Sequence, residues 1–379
     1  MKNNRTFLEK LLDGSEVEWK PLDEVANIVN NARKPVKSSS RVSGNIPYYG
    51  ANNIQDYVEG YTHEGEFVLI AEDGSASLEN YSIQWAVGKF WANNHVHVVN
   101  GKEKLNNRFL YHYLTNMNFI PFLAGKERAK LTKAKLQQIP IPIPPLSVQT
   151  EIVKILDALT ALTSELTSEL ILRQKQYEYY REKLLSEEEL GKVGFEWKTI
   201  DEISKKISSG GTPTTSNNGY YDNGTIPWLR TQEVDFKEIW DTNIKITEDA
   251  LNNSSAKWIP ANCVIVAMYG ATVGKTAINK IPLTTNQACA NIEINDKLAC
   301  YRYIFHYLTS KYEYIKSLGS GSQTNINAQI IKKLKVPVPP IEEQYRIVSI
   351  LDKFETLTNS ITEGLPLAIE QSQKRYEYY

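Results

Sequence analysis

The segment IPIPPLSVQTEIVKILD at residues 141–157 returns near the end of the chain as VPVPPIEEQYRIVSILD at residues 336–352. Asp157 and Asp352, which close the two copies, are 195 positions apart. This period is far longer than the roughly 20–50 residues of a solenoid repeat. The sequence therefore predicts two copies of one large unit, each a globular part followed by a long helix.

The start of the globular part recurs as well. VEWKPLDEV at residues 17–25 matches FEWKTIDEI at residues 195–203, and YEYY stands at both 177–180 and 376–379. Residues 8–12, LEKLL, repeat the turn that closes the first long helix. Joined head to tail, the chain ends would complete the second helix. This order predicts a cyclic layout with pseudo-twofold symmetry.

Composition limits the class of protein. A chain of 379 residues with 41% hydrophobic residues and seven tryptophans is long enough for two or three folded domains. Cys263, Cys289 and Cys300 form no CxxC pair, so we expect a reduced, cytoplasmic protein. No apolar run reaches the length of about 18 residues needed to span a membrane. The net charge of −1 means that any nucleic-acid surface must be local.

A helix of about 50 Å is predicted over residues 151–185, because apolar residues recur at three- and four-residue steps. Its narrow apolar stripe suits one partner helix, and the second copy is the expected partner. Gly364 and Pro366 predict a kink or break in that second copy. The predicted helix interface comprises Ile152, Ile155, Leu159, Leu162, Leu166, Leu170, Ile347, Ile350, Phe354 and Leu357.

The first long helix contains a tandem tetrapeptide. TSEL at residues 163–166 is followed directly by TSEL at residues 167–170. Each copy adds about 6 Å of helix. The spacer between the globular parts is therefore predicted to vary in steps of one tetrapeptide.

The globular parts are predicted to be mixed α/β. The expected strands are 67–71, 95–99, 263–268 and 290–294, and the expected helices are 107–116 and 298–310.

The two globular parts share an apolar frame beside divergent polar residues. Residues 46–52 align with 226–232, 68–74 with 264–270, and 92–95 with 285–288. Asn, Gln, Arg and carboxylate side chains are those that recognise base edges in DNA. A repeated frame with different polar residues is typical of two recognition domains for different sequences, although each residue alone fits an ordinary polar loop.

The sequence predicts these DNA-binding residues: Asn52, Asn53, Glu72, Asp73, Asn93, Asn94, Thr212, Thr214, Arg230, Thr231, Gln232, Tyr269, Thr272, Lys275, Asn286, Gln287, Gln323 and Asn325. Lys126, Arg128 and Lys130 form a basic cluster that is either a solvated helix face or a set of phosphate contacts.

Other chemistries find less support in the sequence. YGATVGKT at residues 269–276 resembles a phosphate-binding loop but has three residues between its glycines instead of four. A nucleotide-binding enzyme is therefore kept as the alternative. His95 and His97 alternate with valines, as on a strand with one wet face. Glu72 and Asp73 lack a partner nucleophile, so we predict no catalytic centre and no metal site.

Taken together, these motifs resemble the specificity subunits of type I restriction–modification systems. The resemblance covers essentially the whole chain and rests on the VEWK and FEWK starts, IPIPP and VPVPP, the doubled TSEL, QYEYY and RYEYY, GGTPTTSN and IPWLRT. It implies a mixed α/β fold with two target recognition domains separated by two long antiparallel helices. Each domain would recognise one half of a split DNA site, and the number of TSEL copies would set the unread spacer.

The resemblance also implies partners. Two modification subunits would dock on the helices and methylate adenine at N6, and motor–nuclease subunits would complete the restriction enzyme. S-adenosylmethionine, ATP and Mg²⁺ would belong to those subunits, and this chain would bind no cofactor and catalyse no reaction itself. A pure coiled-coil assembly protein would leave the globular parts without a task.

The implied domains are 1–16 (helical turn), 17–145 (first recognition domain), 146–193 (central helix), 194–340 (second recognition domain) and 341–379 (C-terminal helix). The family usually continues past the equivalent of Tyr379 with a segment like residues 181–185. Either such a segment is missing here or residues 8–12 complete the helix.

Overall fold

The chain divides into two units. The first unit comprises Met1–Leu166 and Ala368–Tyr379, and the second comprises Thr167–Leu367. The computed structural model describes residues 11–125, 129–319, 325–359 and 363–378.

The first unit is built on a six-stranded sheet of order β2-β7-β5-β6-β3-β4 and a separate antiparallel pair, β1 with β8. All neighbours in the large sheet are antiparallel except β3 and β6, which run parallel. The elements are β1 (Glu18–Pro21), α1 (Leu22–Val25), β2 (Ala26–Ile28), β3 (Ser43–Tyr49), β4 (Ile54–Val58), β5 (His63–Ala71), β6 (Ile83–Ala92), β7 (Val96–Gly101), α2 (Asn107–Thr115), α3 (Lys133–Gln137) and β8 (Pro140–Ile143).

Strand β5 is buried on both faces. Successive side chains of a strand point to opposite sides of a sheet, and the successive residues 68–71 are all buried. Val68 and Ile70 pack in a core with Phe109 of α2. Leu69 packs on the other face, in a cluster with Phe90. The continuous apolar run FVLIA thus serves two cores at once.

The long helix α4 (Leu146–Leu184) has 39 residues, about 58 Å at 1.5 Å per residue. It begins five residues before the predicted start, directly after two prolines. The carbonyl of Pro145 accepts the first helical hydrogen bond, from the amide of Gln149 at 3.0 Å. Proline is tolerated at a helix start because no N–H is required there.

The second unit contains a five-stranded sheet of order β10-β18-β15-β16-β12, a four-stranded sheet of order β13-β11-β17-β14, and the pair β9 with β19. Two neighbouring pairs are parallel, β11 with β17 and β12 with β16. The elements are α5 (Glu187–Gly191), β9 (Glu196–Thr199), β10 (Ser204–Ser209), β11 (Ile226–Leu229), β12 (Lys237–Ile239), β13 (Lys245–Ile246), α6 (Glu248–Asn252), β14 (Trp258–Ile259), β15 (Val264–Ala267), β16 (Thr276–Asn279), β17 (Leu283–Thr285), β18 (Cys289–Ile294), α7 (Tyr301–Ser310), α8 (Tyr312–Ser317), α9 (Ala328–Lys333), β19 (Lys335–Val338) and α10 (Ile341–Asn359).

The core of the second unit is arranged as in the first, with one strand buried on both faces. Val264 and Val266 of β15 pack on one face with Phe305 of α7 and Ile347 of α10. Ile265 of β15 packs in a separate cluster on the other face.

The last helix, α11 (Leu365–Tyr378), begins after a break. Helix α10 ends at Asn359, and Gly364 has a φ of +86°, which only glycine adopts readily. The predicted break at Gly364 and Pro366 is therefore confirmed.

The mixed α/β class, the repeat and the long helix are confirmed, as are all four predicted strands and both predicted short helices. Among the described residues, no helix is long and apolar enough to cross a membrane.

Candidate nucleic-acid interface

In the first unit, two parallel strands end side by side. β3 and β6 pair through Tyr49 and Ala92. The chain then continues into Asn52 after β3 and into Asn93 after β6, and the amide of Asn93 donates to the carbonyl of Tyr49 at 3.2 Å. Loops after neighbouring parallel strands share one edge of a sheet. We call this set, Gly50–Asn53, Glu72–Gly74 and Asn93–His95, the first carboxyl edge.

The second unit has the same arrangement. β11 and β17 are parallel and pair through Leu229 and Thr285. The amide of Asn286 donates to the carbonyl of Leu229 at 2.9 Å, as Asn93 does in the first unit. We call the loops Arg230–Gln232, Tyr269–Lys275 and Asn286–Ala288 the second carboxyl edge.

Two further hydrogen bonds are equivalent in the two units. The amide of Glu72 donates to the carbonyl of His95 at 2.8 Å, and the amide of Met268 donates to that of Ala288 at 2.8 Å. The carbonyls of Glu72 and Met268 in turn accept from Leu131 at 2.8 Å and from Ile326 at 3.0 Å. These bonds confirm the alignment of the two frames predicted from the sequence.

The first carboxyl edge is held by charges. Glu72 accepts from Arg33 at 2.7 Å and from Lys130 at 2.9 Å, and His97 lies 3.8 Å away. Burial alone would raise the pKa of Glu72, but the hydrogen bonds from Arg33 and Lys130 hold it below its usual value. Both oxygens of this carboxylate therefore have cationic partners inside the unit, and we infer that Glu72 and Lys130 position the loop.

Two asparagine side chains of the first carboxyl edge form hydrogen bonds within the edge itself. Asn52 donates to the carbonyl of Gly74 at 2.8 Å and accepts from the amide of Ala76 at 2.8 Å. Asn93 is buried, and its side chain accepts from the amide of His95 at 2.8 Å.

Other side chains of the first carboxyl edge face solvent. Asp73 pairs with His95 at 2.5 Å, and both side chains are partly exposed. Asn53 and Asn94 are exposed. Together with Asn52, which is exposed although it is hydrogen-bonded within the loop, these are the side chains that the first edge presents to a ligand.

The second carboxyl edge is held by neutral hydrogen bonds and by the ion pair of Lys275 with Asp235. The hydroxyl of Thr272 donates to the carbonyl of Thr231 at 2.7 Å, and Thr212 hydrogen-bonds to Gln287. The side chain of Gln232 is exposed.

Of the other predicted residues, Arg230, Tyr269 and Lys275 belong to the second edge, whereas Thr214 and Asn325 lie outside it. Lys275 pairs with Asp235 at 2.6 Å, and Arg230 and Asn325 are half-buried. Thr214 and Tyr269 are exposed.

Residues 269–275 lie in the hairpin turn between β15 and β16, and Thr276 begins β16. Three backbone amides of this turn are occupied by backbone carbonyls of the same hairpin. The amide of Val273 donates to the carbonyl of Gly270 at 3.2 Å. The amide of Gly274 donates to the carbonyl of Ala267 at 2.8 Å, and the amide of Lys275 donates to the carbonyl of Thr272 at 2.9 Å. A phosphate loop instead leads from a strand into a helix with its amides free. The alternative of nucleotide binding is therefore not supported by this geometry.

A polar tetrad around buried His112 lies outside the predicted site residues. We call it the first tetrad, and it comprises Arg108, His112, Asp157 and Tyr376. His112 lies 2.8 Å from Asp157 through Nε2 and 2.8 Å from the Tyr376 hydroxyl through Nδ1. Arg108 donates to the same Asp157 oxygen at 2.7 Å. Because a carboxylate only accepts, Nε2 carries the proton of a neutral His112. Burial lowers the pKa of His112, which favours that neutral form. The tetrad joins α2 to α4 and α11.

The second tetrad is Arg302, His306, Asp352 and Tyr177. His306 lies 2.8 Å from Asp352, and the Tyr177 hydroxyl lies 3.4 Å from the other ring nitrogen. Arg302 donates to Asp352 at 2.7 Å. Burial raises the pKa of Tyr177 to about 12. RFLYHYLT at 108–115 and RYIFHYLT at 302–309 are the sequence signal that could have revealed both tetrads.

The second tetrad carries extra acids. Arg302 also contacts Glu355 at 3.1 Å and hydrogen-bonds to Glu238. His306, Asp352 and Glu355 lie close enough together to hold a metal ion. The Arg302 guanidinium already lies against both carboxylates and would repel a cation there. We infer a positioning role for this cluster.

Residues 14–173 and again 192–371 match the type I restriction modification DNA specificity domain. The chain belongs to the type I restriction–modification DNA specificity family. A candidate type I restriction enzyme specificity subunit of Haemophilus influenzae is 64% identical over 393 aligned positions, covering 100% of this chain and 98% of that protein. The EcoR124I/EcoR124II specificity subunit of Escherichia coli is 37% identical over 99% of this chain and 95% of that protein.

A solved structure agrees in fold. The type I restriction–modification S subunit from M. genitalium matches with a TM-score of 0.63 and 14% sequence identity, over 96% of this chain and 92% of that one. The family match and these two relatives make the chain a specificity subunit of a type I system, and nucleotide binding finds no support among them.

Within this specificity subunit, the predicted helix interface is distributed over both units. In the first, Ile152 packs against the core, and Ser372 of α11 contacts Thr163 at 2.9 Å. In the second, Ile347 is buried and Phe354 stacks on Tyr180 with ring centroids 5.5 Å apart. Half-buried positions are Ile155, Leu159, Leu166, Leu170, Ile350 and Leu357, whereas Leu162 is exposed. The predicted DNA contacts Lys126, Arg128 and Gln323 lie outside the described residues.

Proposed function

We propose that each unit of this specificity subunit recognises one half of a bipartite site in double-stranded DNA. The observation that carries the proposal is the pair of carboxyl edges, which share a backbone frame and differ in side chains. Exposed Asn53 and Asn94 on the first edge and exposed Gln232 on the second suit adenine, which Asn and Gln recognise in the major groove. Different side chains on one frame would give the two halves of the site different sequences.

The proposed partners follow from the role of a specificity subunit. Two modification subunits would dock on the long helices and methylate adenine at N6 in the cytoplasm. Motor–nuclease subunits would complete a site-specific deoxyribonuclease. S-adenosylmethionine, ATP and Mg²⁺ would act in those partners. This chain would supply sequence recognition and a docking scaffold.

The test is a methylation map. The chain and its modification subunit would be co-expressed in a host without adenine methylation, and N6-methyladenine would be mapped by single-molecule sequencing. We expect one motif with two short defined halves around a fixed gap. A continuous motif, or no methylation by a complex that purifies intact, would contradict the proposal.

Gln232→Ala tests whether the second carboxyl edge recognises bases. We expect relaxed sequence preference in one half of the motif, a loss of discrimination of about 1–3 kcal/mol at one base pair, with the other half unchanged. Deletion of residues 167–170 is the matched control, since it removes about 6 Å of helix and should change the gap alone. Equal loss on all sequences for Gln232→Ala would argue against base recognition.

A further inference from the structure

A cationic arm lies beside the first carboxyl edge. From residue 25 to residue 55 the chain contains no Asp or Glu, yet Arg33, Lys34, Lys37 and Arg41 stand within nine residues. We call residues 33–41 the first arm. Its charge stands out in a chain whose net charge is −1.

The first arm is fixed on the parallel strand pair that ends at the first carboxyl edge. The amide of Lys34 donates to the carbonyl of Ala92, the last residue of β6, at 3.0 Å. The Trp91 indole donates to the carbonyl of Lys34 at 2.7 Å, and the Tyr48 hydroxyl accepts from the amide of Val36 at 3.0 Å. The backbone of the arm is therefore held in register with the edge.

Two of the four cations are committed to partners inside the unit. Arg33 pairs with Glu72 at 2.7 Å, and Arg41 pairs with Asp56 at 3.4 Å. The Arg41 guanidinium also lies 4.1 Å from the ring centre of Tyr48. These arginines hold the arm in place.

The two lysines are available. Lys34 and Lys37 are exposed, and within the part of the chain that the structure describes no carboxylate makes an ion pair with either. They line a cleft of about 580 Å³ together with Trp91, where Glu59 is the carboxylate among the lining residues. Two free ammonium groups beside one acid leave this cleft suited to an anion.

Residues 210–218 of the second unit correspond to the first arm but carry no charged side chain, and we call them the second arm. The amide of Gly211 donates to the carbonyl of Thr285 at 2.9 Å, and the Trp228 indole donates to the carbonyl of Gly211 at 3.0 Å. The first of these bonds aligns Gly211 with Lys34, since Thr285 corresponds to Ala92, and three residues on it aligns Thr214 with Lys37. Residues 207–221 contain no charged side chain.

We propose that Lys34 and Lys37 bind backbone phosphates of the DNA duplex that lies on the first carboxyl edge, and that the second arm makes no equivalent ionic contact. This inference rests on the proposed function and adds that the first arm makes ionic contacts with the DNA whereas the second arm makes none. Lysine contacts to phosphate fix the position of a protein on DNA without reading sequence. Each such contact releases a condensed counterion and steepens the salt dependence of binding.

The test measures the slope of log K against log salt for the full chain, in complex with its modification subunits, on duplexes carrying the mapped site. Lys34→Ala/Lys37→Ala should reduce the slope by about 1.8, since each phosphate contact contributes about 0.9. For each doubling of the salt concentration, the fold-loss of affinity would then be about 3.5 times smaller in the variant than in the wild type. The methylation motif should stay unchanged.

Three variants serve as controls. Lys34→Arg/Lys37→Arg retains the charges and should restore the slope. Thr214→Lys places a cation at the matching exposed position of the second arm and should raise the slope by about 0.9. Lys104→Ala removes an exposed lysine after β7 and should change nothing. Thr214→Lys keeps the test decisive even if the double alanine variant folds poorly.

An unchanged slope in the double alanine variant overturns the inference. A changed motif overturns it as well, because it would assign the lysines to base recognition. A slope that Thr214→Lys leaves unaltered would show that the arms do not face phosphates. Failure of the proposed function is distinguishable, since the wild-type complex would then methylate no bipartite site.

Discussion

The two carboxyl edges share a backbone frame but are stabilised by different chemistry. The backbone amides of Asn93 and Asn286 donate equivalent hydrogen bonds to the neighbouring parallel strand. The loop of the first edge is fixed by the ionic contacts of Glu72 with Arg33 and Lys130. The loop of the second edge is fixed by the neutral hydrogen bond of Thr272 and, at its end, by the ion pair of Lys275 with Asp235. The frame therefore does not depend on how a loop is fixed, and the loops are free to differ.

The two tetrads differ in a related way. Both join a short helix to the long helices through an Arg, His, Asp and Tyr. The side chain of Asp157 is 42% exposed, while that of Asp352 is 33% exposed and its Arg302 partner 17%. Arg302 also serves further carboxylates. The same four residues therefore carry more buried charge in the second unit.

The largest expected effect comes from removing the tetrad aspartates. Asp352→Ala should lower the free energy of unfolding by about 3 kcal/mol, because it removes the carboxylate partner of buried His306 and the Asp352 contact of Arg302, which then keeps Glu355 and Glu238 as its carboxylate partners. Asp157→Ala should cost about 1–2 kcal/mol, since water reaches that site. Urea unfolding followed by tryptophan fluorescence would measure both.

Glu355→Gln is the matched control for the aspartate variants. Burial raises the pKa of Glu355 and so favours its neutral form, which glutamine imitates. Its effect should be smaller than that of Asp352→Ala. Equal losses for Asp157→Ala and Asp352→Ala would show that burial does not distinguish the tetrads.

The next effect is a difference in pH dependence. Burial lowers the pKa values of His63, His97 and His112, all in the first unit, below 6.5. The unfolded chain then binds protons that the folded unit excludes, so the stability present above pH 6.5 is lost as pH falls through the folded pKa values. The loss is at most about 1.4 kcal/mol per pH unit for each histidine.

Pulse proteolysis with peptide mapping between pH 7.5 and 5 would assign this loss to a unit. The first unit should become cleavable at the higher pH, since the second unit contains one histidine, His306. The carboxylate of Glu72 contributes little in this window, because its lowered pKa places its effect below pH 4.5. His97→Gln should reduce the pH slope of the first unit, and an unchanged slope would contradict the assignment.

The smallest effect concerns how the edges are fixed. Glu72→Gln keeps the shape of the side chain but removes its charge, and should weaken binding at the first half-site by about 1 kcal/mol. Thr272→Val should do the same at the second half-site. Binding assays on duplexes with one half-site scrambled would separate the two. An effect of either variant on the opposite half-site would refute the independence of the edges.

Much of the fold could be predicted from local pattern. The strand at residues 67–71 and the helix at residues 107–116 follow from apolar periodicity, and the break near Gly364 follows from the limits on helix geometry. Apolar periodicity alone starts α4 five residues late, because it is weak over the first turn, whereas Pro144 and Pro145 mark the observed start. The candidate site was harder to predict, because Glu72 looks the same in sequence whether it faces DNA or a buried arginine.

The sequence by itself determined the duplication, the family, the mixed α/β class and the aligned frames of the two edges, because repeats and periodicity are properties of the chain order. Only the tertiary structure decided which polar residues are committed within the protein. Arg33, Glu72 and Lys130 meet from three separate segments, and Tyr376 reaches His112 across 264 residues. Partners this far apart are chosen by folding, since distance in space, not in sequence, sets the strength of a hydrogen bond or ion pair.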